Sequence, residues 1–437
     1  MMLRTAACSF SMATTIRPTR TRTSARAYLF VCSIFCAGSP SPLGGNIAAT
    51  GRALVRPQGI WKDPDGKQGA RQMPKRKGFL YEWMCDKEHI REAIVFGAKD
   101  KHDRRDVRRV LADVDGFTDR VYDLLQTQTF APAQPKKRKI FDNSSRKWRE
   151  IEYVPFFPDG IVHTLMVLAA APVFLRGMNY WCCASVPGRG GKHALRRCKR
   201  VIHHDKKGSR YVCKMDVHHF YHSVDRRKLI WMLAHKIKDK KYLKLTWEIL
   251  QTCEQGLAIG FFICQWLANF YLEPLDRYIT TLDGVKYSAR YMDDIVLFGP
   301  NKKKLHRARK AIAEYLQKRL RLQMKGNWQV FPLKVRPLDY VGYRFYRDYT
   351  TMRRKNFLRF TRQCRKVRKK IERHQRIAYR TASGLLSRIG QLKHCDSVMA
   401  RKKYVDPIGV RILKEVVRNE SKRRQCAGKC VLAGGAA

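Results

Sequence analysis

Two adjacent carboxylates, Asp293 and Asp294, stand between the aromatic Tyr291 and the apolar run Ile295-Val296-Leu297-Phe298. Aromatic and β-branched residues on both sides of a short polar break predict a tight hairpin with the acids at its tip. Like charges this close repel each other, so a site that keeps both ionised normally needs a cation between them. Taken alone, the pair is also compatible with an ordinary polar hairpin tip.

A third acid, Asp216, ends the stretch Tyr211-Val212-Cys213-Lys214-Met215, which predicts a strand that delivers the side chain at its end. Two-metal nucleotidyl transfer could use such a set of three acids. One divalent ion lowers the pKa of a hydroxyl nucleophile while the second neutralises a triphosphate and its leaving group. A zinc site is the weaker interpretation, because the 14 cysteines show no repeated CxxC spacing and no histidine falls in an HExxH pattern.

The overall charge points to a polyanionic partner. The 437 residues contain 90 Lys and Arg against 36 Asp and Glu, a formal net charge of +54. Such an excess is self-repulsive in a compact chain, so nucleic acid is the expected counterpart and an anionic membrane surface the weaker one. The length allows two or three domains.

Residues 1–72 differ in composition from the rest, with no acidic residue before Asp63. Their one apolar run, Tyr28 to Ala37, is shorter than the roughly 20 residues that span a bilayer. A signal or transit peptide would fit this leader. We favour a disordered basic leader or a mis-assigned upstream extension, with Met73 opening the functional chain.

Apolar spacing divides the rest into helices and strands. Helices are predicted in the N-terminal segment 73–135, then over 159–174, 194–202, 226–237, 241–253, 266–279, 302–320 and, densely basic, 353–424. Strands are predicted over 147–155, 211–216, 325–331 and 338–345. A solvated basic turn is predicted at Lys136-Lys137-Arg138-Lys139, a Gly-rich loop at 185–192, and a loose tail from Cys426.

Tyr-Met-Asp-Asp at 291–294, in order after Asp216, resembles the reverse transcriptases, and the similarity extends roughly from Phe79 to Lys402. The resemblance implies an α+β right-hand polymerase with an antiparallel palm sheet and helical, basic N-terminal and thumb regions. Its domain boundaries would be 136–215 for the fingers and the start of the palm, 216–350 for the palm, 351–424 for the thumb and 425–437 for the tail.

The same resemblance assigns roles to individual residues. Asp216, Asp293 and Asp294 would be catalytic and hold the metals, and Tyr221 would be the aromatic gate against a ribonucleotide 2′-hydroxyl. Further substrate-binding residues would be Lys147, Arg149, Ile259, Gly260, Gln265 and Lys325. The primer grip would be Tyr340, Val341, Gly342 and Tyr343.

One loop bears on the subfamily. Ile259-Gly260-Phe261-Phe262-Ile263-Cys264-Gln265 is similar to the Ile-Gly-x-x-x-Ser-Gln form of diversity-generating retroelement enzymes, with Cys264 in place of Ser. Ala258 also replaces the usual Pro. An apolar residue before the Gly implies relaxed fidelity. No maturase-sized extension and no retron signature is recognised.

The resemblance therefore implies RNA-templated DNA synthesis, with two Mg²⁺ ions for which Mn²⁺ could substitute. Expected partners are an RNA template, a DNA or RNA primer, deoxynucleoside triphosphates and an accessory nucleic-acid-binding subunit, without a membrane. The expected location is the cytoplasm, for a bacterial or phage-encoded protein, although the leader leaves room for targeting. The alternatives are an antiphage-defence reverse transcriptase and an inactive nucleic-acid-binding scaffold of the same fold.

Overall fold

The computed structural model of the chain describes residues 76–142 and 147–433. The predicted disorder of the 1–72 leader lies outside the described residues.

Four helices open the described chain, as the apolar spacing predicts, followed by a long apolar helix. They are α1 (Leu80–Met84), α2 (Lys87–Ala98), α3 (Arg105–Ala112), α4 (Val114–Gln126) and, after a strand pair, α5 (Ile161–Gly177). Helices α1 and α2 pack on α5. The segment Phe156–Gly177 has the length and mean hydropathy, 1.5, of a membrane span. Here it is a core helix, with ten of its residues between Ile161 and Phe174 buried.

A two-stranded hairpin, β1 (Lys136–Asp142) and β2 (Lys147–Tyr153), projects between α4 and α5. The predicted turn at 136–139 is wrong, because these residues form β1 and pair antiparallel with β2. The pairing sets cations against acids: Lys137 Nζ lies 3.5 Å from Glu150 Oε1 and 2.6 Å from Glu254 Oε2. Opposite charges across the strands favour this register over a solvated turn.

The central sheet has the order β4-β5-β3-β6 and is antiparallel. Its strands are β3 (Tyr211–Asp216), β4 (Tyr287–Tyr291), β5 (Asp294–Gly299) and β6 (Gln329–Pro332). The predicted hairpin of β4 and β5 is therefore confirmed, as is the strand that ends in Asp216. With the helices around it, this sheet confirms the α+β fold class.

In the described chain, seven helices lie between residues 191 and 320, one before β3 and the others between the strands of the sheet. They are α6 (Gly191–His204), α7 (Phe220–Ser223), α8 (Arg226–Ala234), α9 (Lys240–Thr252), α10 (Phe262–Tyr271), α11 (Glu273–Thr281) and α12 (Lys302–Leu320). Helix α10 packs on α5, α12 packs across β3, β5 and β6, and α6 packs on β4. The predicted single helix over 266–279 is instead two, divided at Leu272.

A second small sheet follows the first. Its strands are β7 (Leu338–Tyr340), β8 (Tyr343–Phe345) and β9 (Thr350–Met352), each antiparallel to the next. The strand predicted over 338–345 is thus two strands joined by a two-residue turn. Val341 and Gly342 adopt positive φ, 42° and 89°, which reverses the chain between β7 and β8.

The C-terminal part is helical, as predicted: α13 (Arg354–Glu372), α14 (Tyr379–Leu392), α15 (Val398–Tyr404) and α16 (Val410–Ala433). These helices enclose their own apolar cluster around Phe360, Leu385 and Leu413. The predicted loose tail from residue 425 is wrong as far as Ala433, because α16 continues through it. The predicted domain boundaries stay predictions.

A buried ion pair holds the β4–β5 hairpin to the helices beneath it. The guanidinium of Arg290, 2% exposed, donates from Nε and Nη2 to the two carboxylate oxygens of Asp276 on α11, both at 2.7 Å. Nη1 donates to Asn269 Oδ1 at 3.1 Å and to the carbonyl oxygen of Met292 at 3.0 Å. The pair thus fixes the turn that carries Asp293.

Replacing Asp276 with Asn leaves the Arg290 charge buried without its counter-ion. We expect the free energy of unfolding to fall by about 3–5 kcal/mol, measured as a shift of the urea denaturation midpoint. Asp283→Asn is the matched control, because Asp283 is exposed and pairs with Lys304 at the surface, 3.0 Å apart. Equal midpoints for the two variants would show that the buried pair does not hold the hairpin.

Candidate active site

The structure brings the three predicted carboxylates together at one end of the central sheet. Asp216, the last residue of β3, is paired in register with Asp294, the first residue of β5. Asp293 lies in the turn between β4 and β5. The preceding residue of that turn, Met292, has a positive φ of 55°. Asp216 and Asp293 share a side-chain hydrogen bond. Residues far apart in sequence therefore form one acidic cluster.

The acids of this cluster have too few positive charges around them to compensate their own charge. Partial burial, then the charge and hydrogen bond of Asp216, raise the pKa of Asp293 to about 7. Burial also raises the pKa of Asp294 to about 6, although the nearby Lys214 opposes the shift. Repulsion and desolvation both disfavour the ionised forms, so the cluster has room for positive charge.

Two lysines partly supply that charge. Lys325 Nζ makes an ion pair and hydrogen bond with Asp216 Oδ2, and the Lys325 amide donates to the Asp216 carbonyl at 2.8 Å. Lys214 Nζ lies 3.5 Å from Asp294 Oδ2 and donates to the Asp339 carbonyl at 2.9 Å. Lys214 was missed by the sequence prediction. Its spacing of two from Asp216 on a strand was the available signal, since such residues share one face.

The donor set suits a divalent cation. Carboxylate oxygens are the ligands that Mg²⁺ prefers, and Asp294 Oδ1 is buried with no hydrogen-bond partner. Among the residues that the structure describes, no three His, Cys, Asp or Glu side chains are arranged as a finished metal-ligand group. Asp216 and Asp294 instead face Lys325 and Lys214.

Tyr221 lies beside the acidic hairpin. It belongs to the short helix α7, and its hydroxyl donates to Met292 Sδ at 3.8 Å. Its backbone carbonyl accepts a hydrogen bond from the Leu257 amide at 2.8 Å. The structure therefore places the predicted gate against the turn that carries Asp293.

The loop around Gly260 lies between the β1–β2 hairpin and the Gly-rich loop. A side chain at Gly260 would meet the carbonyl oxygen of Glu152 on β2 at 1.9 Å, so only glycine fits there. Gln265 Oε1 accepts from Ser185 Oγ at 3.2 Å. Ile259 is half-buried. The loop thus joins two segments that the sequence interpretation had assigned to the fingers.

The other predicted substrate contacts lie apart from the acids. Lys147 and Arg149 are on β2, outside the central sheet, where Arg149 is exposed and paired in register with Ile140. The predicted primer grip forms the turn between β7 and β8. Tyr340 is fully buried, and Tyr343 Oη donates to the Gln391 carbonyl on α14 at 3.1 Å.

Known proteins resemble parts of this chain. Residues 162–345 match the family model described as reverse transcriptase (RNA-dependent DNA polymerase). Protein YkfC of Escherichia coli K12 is 23% identical over 156 residues, 33% of this chain and 41% of that protein. The group II intron-encoded protein LtrA of Lactococcus lactis is 23% identical over 218 residues, 47% of this chain and 35% of that protein.

The chain therefore spans less than half the length of the curated relatives it matches. Among solved structures, apo telomerase from Candida tropicalis aligns with a TM-score of 0.40 and 12% identity, over 66% of this chain and 58% of that one. The family model covers all three acids, Tyr221, the Gly260 loop and the β7–β8 turn. The Tyr-Met-Asp-Asp hairpin lies inside that match, so residues 162–345 resemble the reverse transcriptases in both sequence pattern and site geometry.

Proposed function

We propose that this protein synthesises DNA on an RNA template, transferring nucleotidyl groups from deoxynucleoside triphosphates to a primer 3′-hydroxyl. The observation that carries the proposal is the acidic cluster of Asp216, Asp293 and Asp294 at the end of the central sheet. Three carboxylates gathered at one point, with the pKa of Asp293 and Asp294 raised by burial, are suited to holding divalent cations. The match of residues 162–345 to the reverse transcriptase family model supports the same chemistry.

The three acids would hold two Mg²⁺ ions, with Mn²⁺ as a substitute. When bound, the ions would supply charge stabilisation for the triphosphate and a lowered pKa for the primer hydroxyl. Lys214 and Lys325 now offset the carboxylate charge, as their contacts with Asp294 and Asp216 show. Lys325, next to Asp216, would contact the triphosphate of a bound nucleotide.

The remaining roles are those that the resemblance implies. Tyr221 would contact the sugar, and Ile259, Gly260 and Gln265 would form the floor under the templating base. Lys147 and Arg149 on β2 would reach the triphosphate, because Arg offers phosphate oxygens a rigid fork of donors. The turn at Val341 and Gly342, with Tyr340 and Tyr343 on either side, would support the primer end.

The net charge of +54 supports a template and primer as the polyanionic partners, with an accessory nucleic-acid-binding subunit as a further one. We propose a diversity-generating retroelement as the setting, because of the sequence of the Ile259-to-Gln265 loop. We propose the cytoplasm as the location of a bacterial or phage-encoded protein. An antiphage-defence enzyme would use the same chemistry.

A catalytically inactive nucleic-acid-binding scaffold is a second candidate. The ion pairs of Asp216 with Lys325 and Asp294 with Lys214 favour it, because these lysines already offset part of the carboxylate charge without a metal ion. Primer extension on a homopolymer RNA with Mg²⁺ separates the two functions. An active enzyme extends the primer, whereas a scaffold binds it without extension.

Asp293→Asn removes a charged oxygen ligand while keeping the side-chain shape. We expect the extension rate to fall about a thousandfold or more, because a metal ion contributes several kcal/mol to the transition state. RNA affinity at fixed salt should be unchanged. Asp283→Asn, an exposed acid changed in the same way, is the control. Full extension by the Asp293 variant would refute the assigned chemistry.

Tyr221→Ala removes the ring that would collide with a ribonucleotide 2′-hydroxyl. We expect the preference for deoxynucleotides over ribonucleotides, as a ratio of kcat/KM, to fall roughly 10- to 100-fold. Tyr221→Phe is the matched control, since it keeps the ring and loses only the Oη contact with Met292. If both variants retain the parent preference, the gate lies elsewhere.

A further inference from the structure

The gate side chain is tied to the protein through its backbone as well as its ring. The Leu257 amide donates to the Tyr221 carbonyl at 2.8 Å, and the residue before Leu257 is a glycine with φ 52°. A Cβ atom built at Gly256 would lie 2.2 Å from the Tyr221 carbonyl oxygen and 2.6 Å from that of His222. The loop therefore seats directly on the main chain of the gate.

This contact is one that a side chain cannot avoid by rotating. The atoms next to Gly256 are backbone atoms of α7. A collision with the end of a flexible side chain could be relieved by a change of rotamer, but a collision with backbone atoms cannot. Leu257 and Ala258 are buried behind the contact, at 0% and 2% exposure, so the loop cannot easily retreat. Accommodating a methyl group at Gly256 therefore requires α7 to move.

The stretch before Gly256 is also held. Arg226 Nη1 on α8 donates to the carbonyl oxygens of Leu250 at 2.7 Å and Cys253 at 2.9 Å, which fixes the end of α9. At the other end of the loop, Gly260 sits against the Glu152 carbonyl on β2. The segment 256–260 is thus seated at both ends, on the gate and on the strand that carries Arg149.

We propose that Gly256 is a positioning residue for the sugar gate. By lacking a side chain, it lets the loop set the depth of Tyr221 and so sets the discrimination between deoxynucleotides and ribonucleotides. This inference rests on the proposed polymerase function and on Tyr221 as the gate. It assigns a specificity role to a residue that would contact no substrate.

Gly256→Ala should displace the Tyr221 backbone by about 1 Å, a shift large enough to alter rates by as much as about a hundredfold. We expect the ratio of kcat/KM for deoxynucleotide over ribonucleotide to fall about tenfold, mainly through a lower KM for the ribonucleotide. Gly326→Ala is the matched control, because no atom lies within 4 Å of a Cβ there and its φ is not positive. That variant should keep the parent ratio.

A double-variant cycle tests whether Gly256 acts through the gate. Once Tyr221 is Ala, adding Gly256→Ala should leave the ratio unchanged, because there is no ring left to position. Independent effects that multiply in the double variant overturn the proposal. So does a Gly256→Ala enzyme that loses the same factor in kcat for both nucleotides, which is the result of a purely structural defect.

Two further outcomes are distinguishable. If Tyr221→Ala does not alter the ratio, the gate assignment fails, and the Gly256 proposal fails with it, while Asp293→Asn still tests the chemistry.

Gly256→Asn is the second variant if the Ala variant does not fold, because Asn tolerates positive φ yet keeps the colliding Cβ. If neither folds while Gly326→Ala does, Gly256 serves the fold rather than the gate, and the proposal is overturned.

Discussion

The buried pair of Arg290 and Asp276 is the interaction on which the rest of the site depends. A charged guanidinium this deep is tolerated only because Asp276 meets it with both oxygens and Asn269 and the Met292 carbonyl take another of its N–H groups. Burial alone would lower the pKa of Arg290, yet Asp276 raises it, so the charge persists. Helices α10 and α11 are thereby joined to the turn that carries two of the three acids.

The acidic cluster is the second constraint. Unlike Arg290, its charged groups lack a full set of oppositely charged partners. Arg290 is over-supplied with acceptors, whereas Asp216, Asp293 and Asp294 are under-supplied with cations. Burial raises the pKa of Asp293 and Asp294, and two lysines only partly offset the charge. A rigid, satisfied network thus supports a site that is left electrostatically unsatisfied, which is the usual division between a scaffold and a functional centre.

Local patterns predicted the β4–β5 hairpin, β3 and the bounds of α12. The alternation or helical spacing of apolar residues that marks each element lies within its own segment. Prediction failed where the deciding interaction was distant. Four consecutive cations made β1 look like a solvated turn, because the acids that pair with them lie on β2 and at Glu254. Similarly, nothing in the local sequence marks Val341 as a residue with positive φ. The three acids were predictable as a set, but the partners of Arg290 were not, because Asn269 and Asp276 lie on helices whose packing the sequence does not state.

Lys214 links the central sheet to the small sheet of β7, β8 and β9. Its ammonium group lies near Asp294 on the central sheet and bonds the Asp339 carbonyl on β7, while Tyr343 on β8 bonds α14. Contacts within the protein therefore set the spacing between the carboxylates and the β7–β8 turn. Under the proposed function, a duplex end that reached this turn would find the acids already in place, so little of its binding energy would be consumed in aligning them.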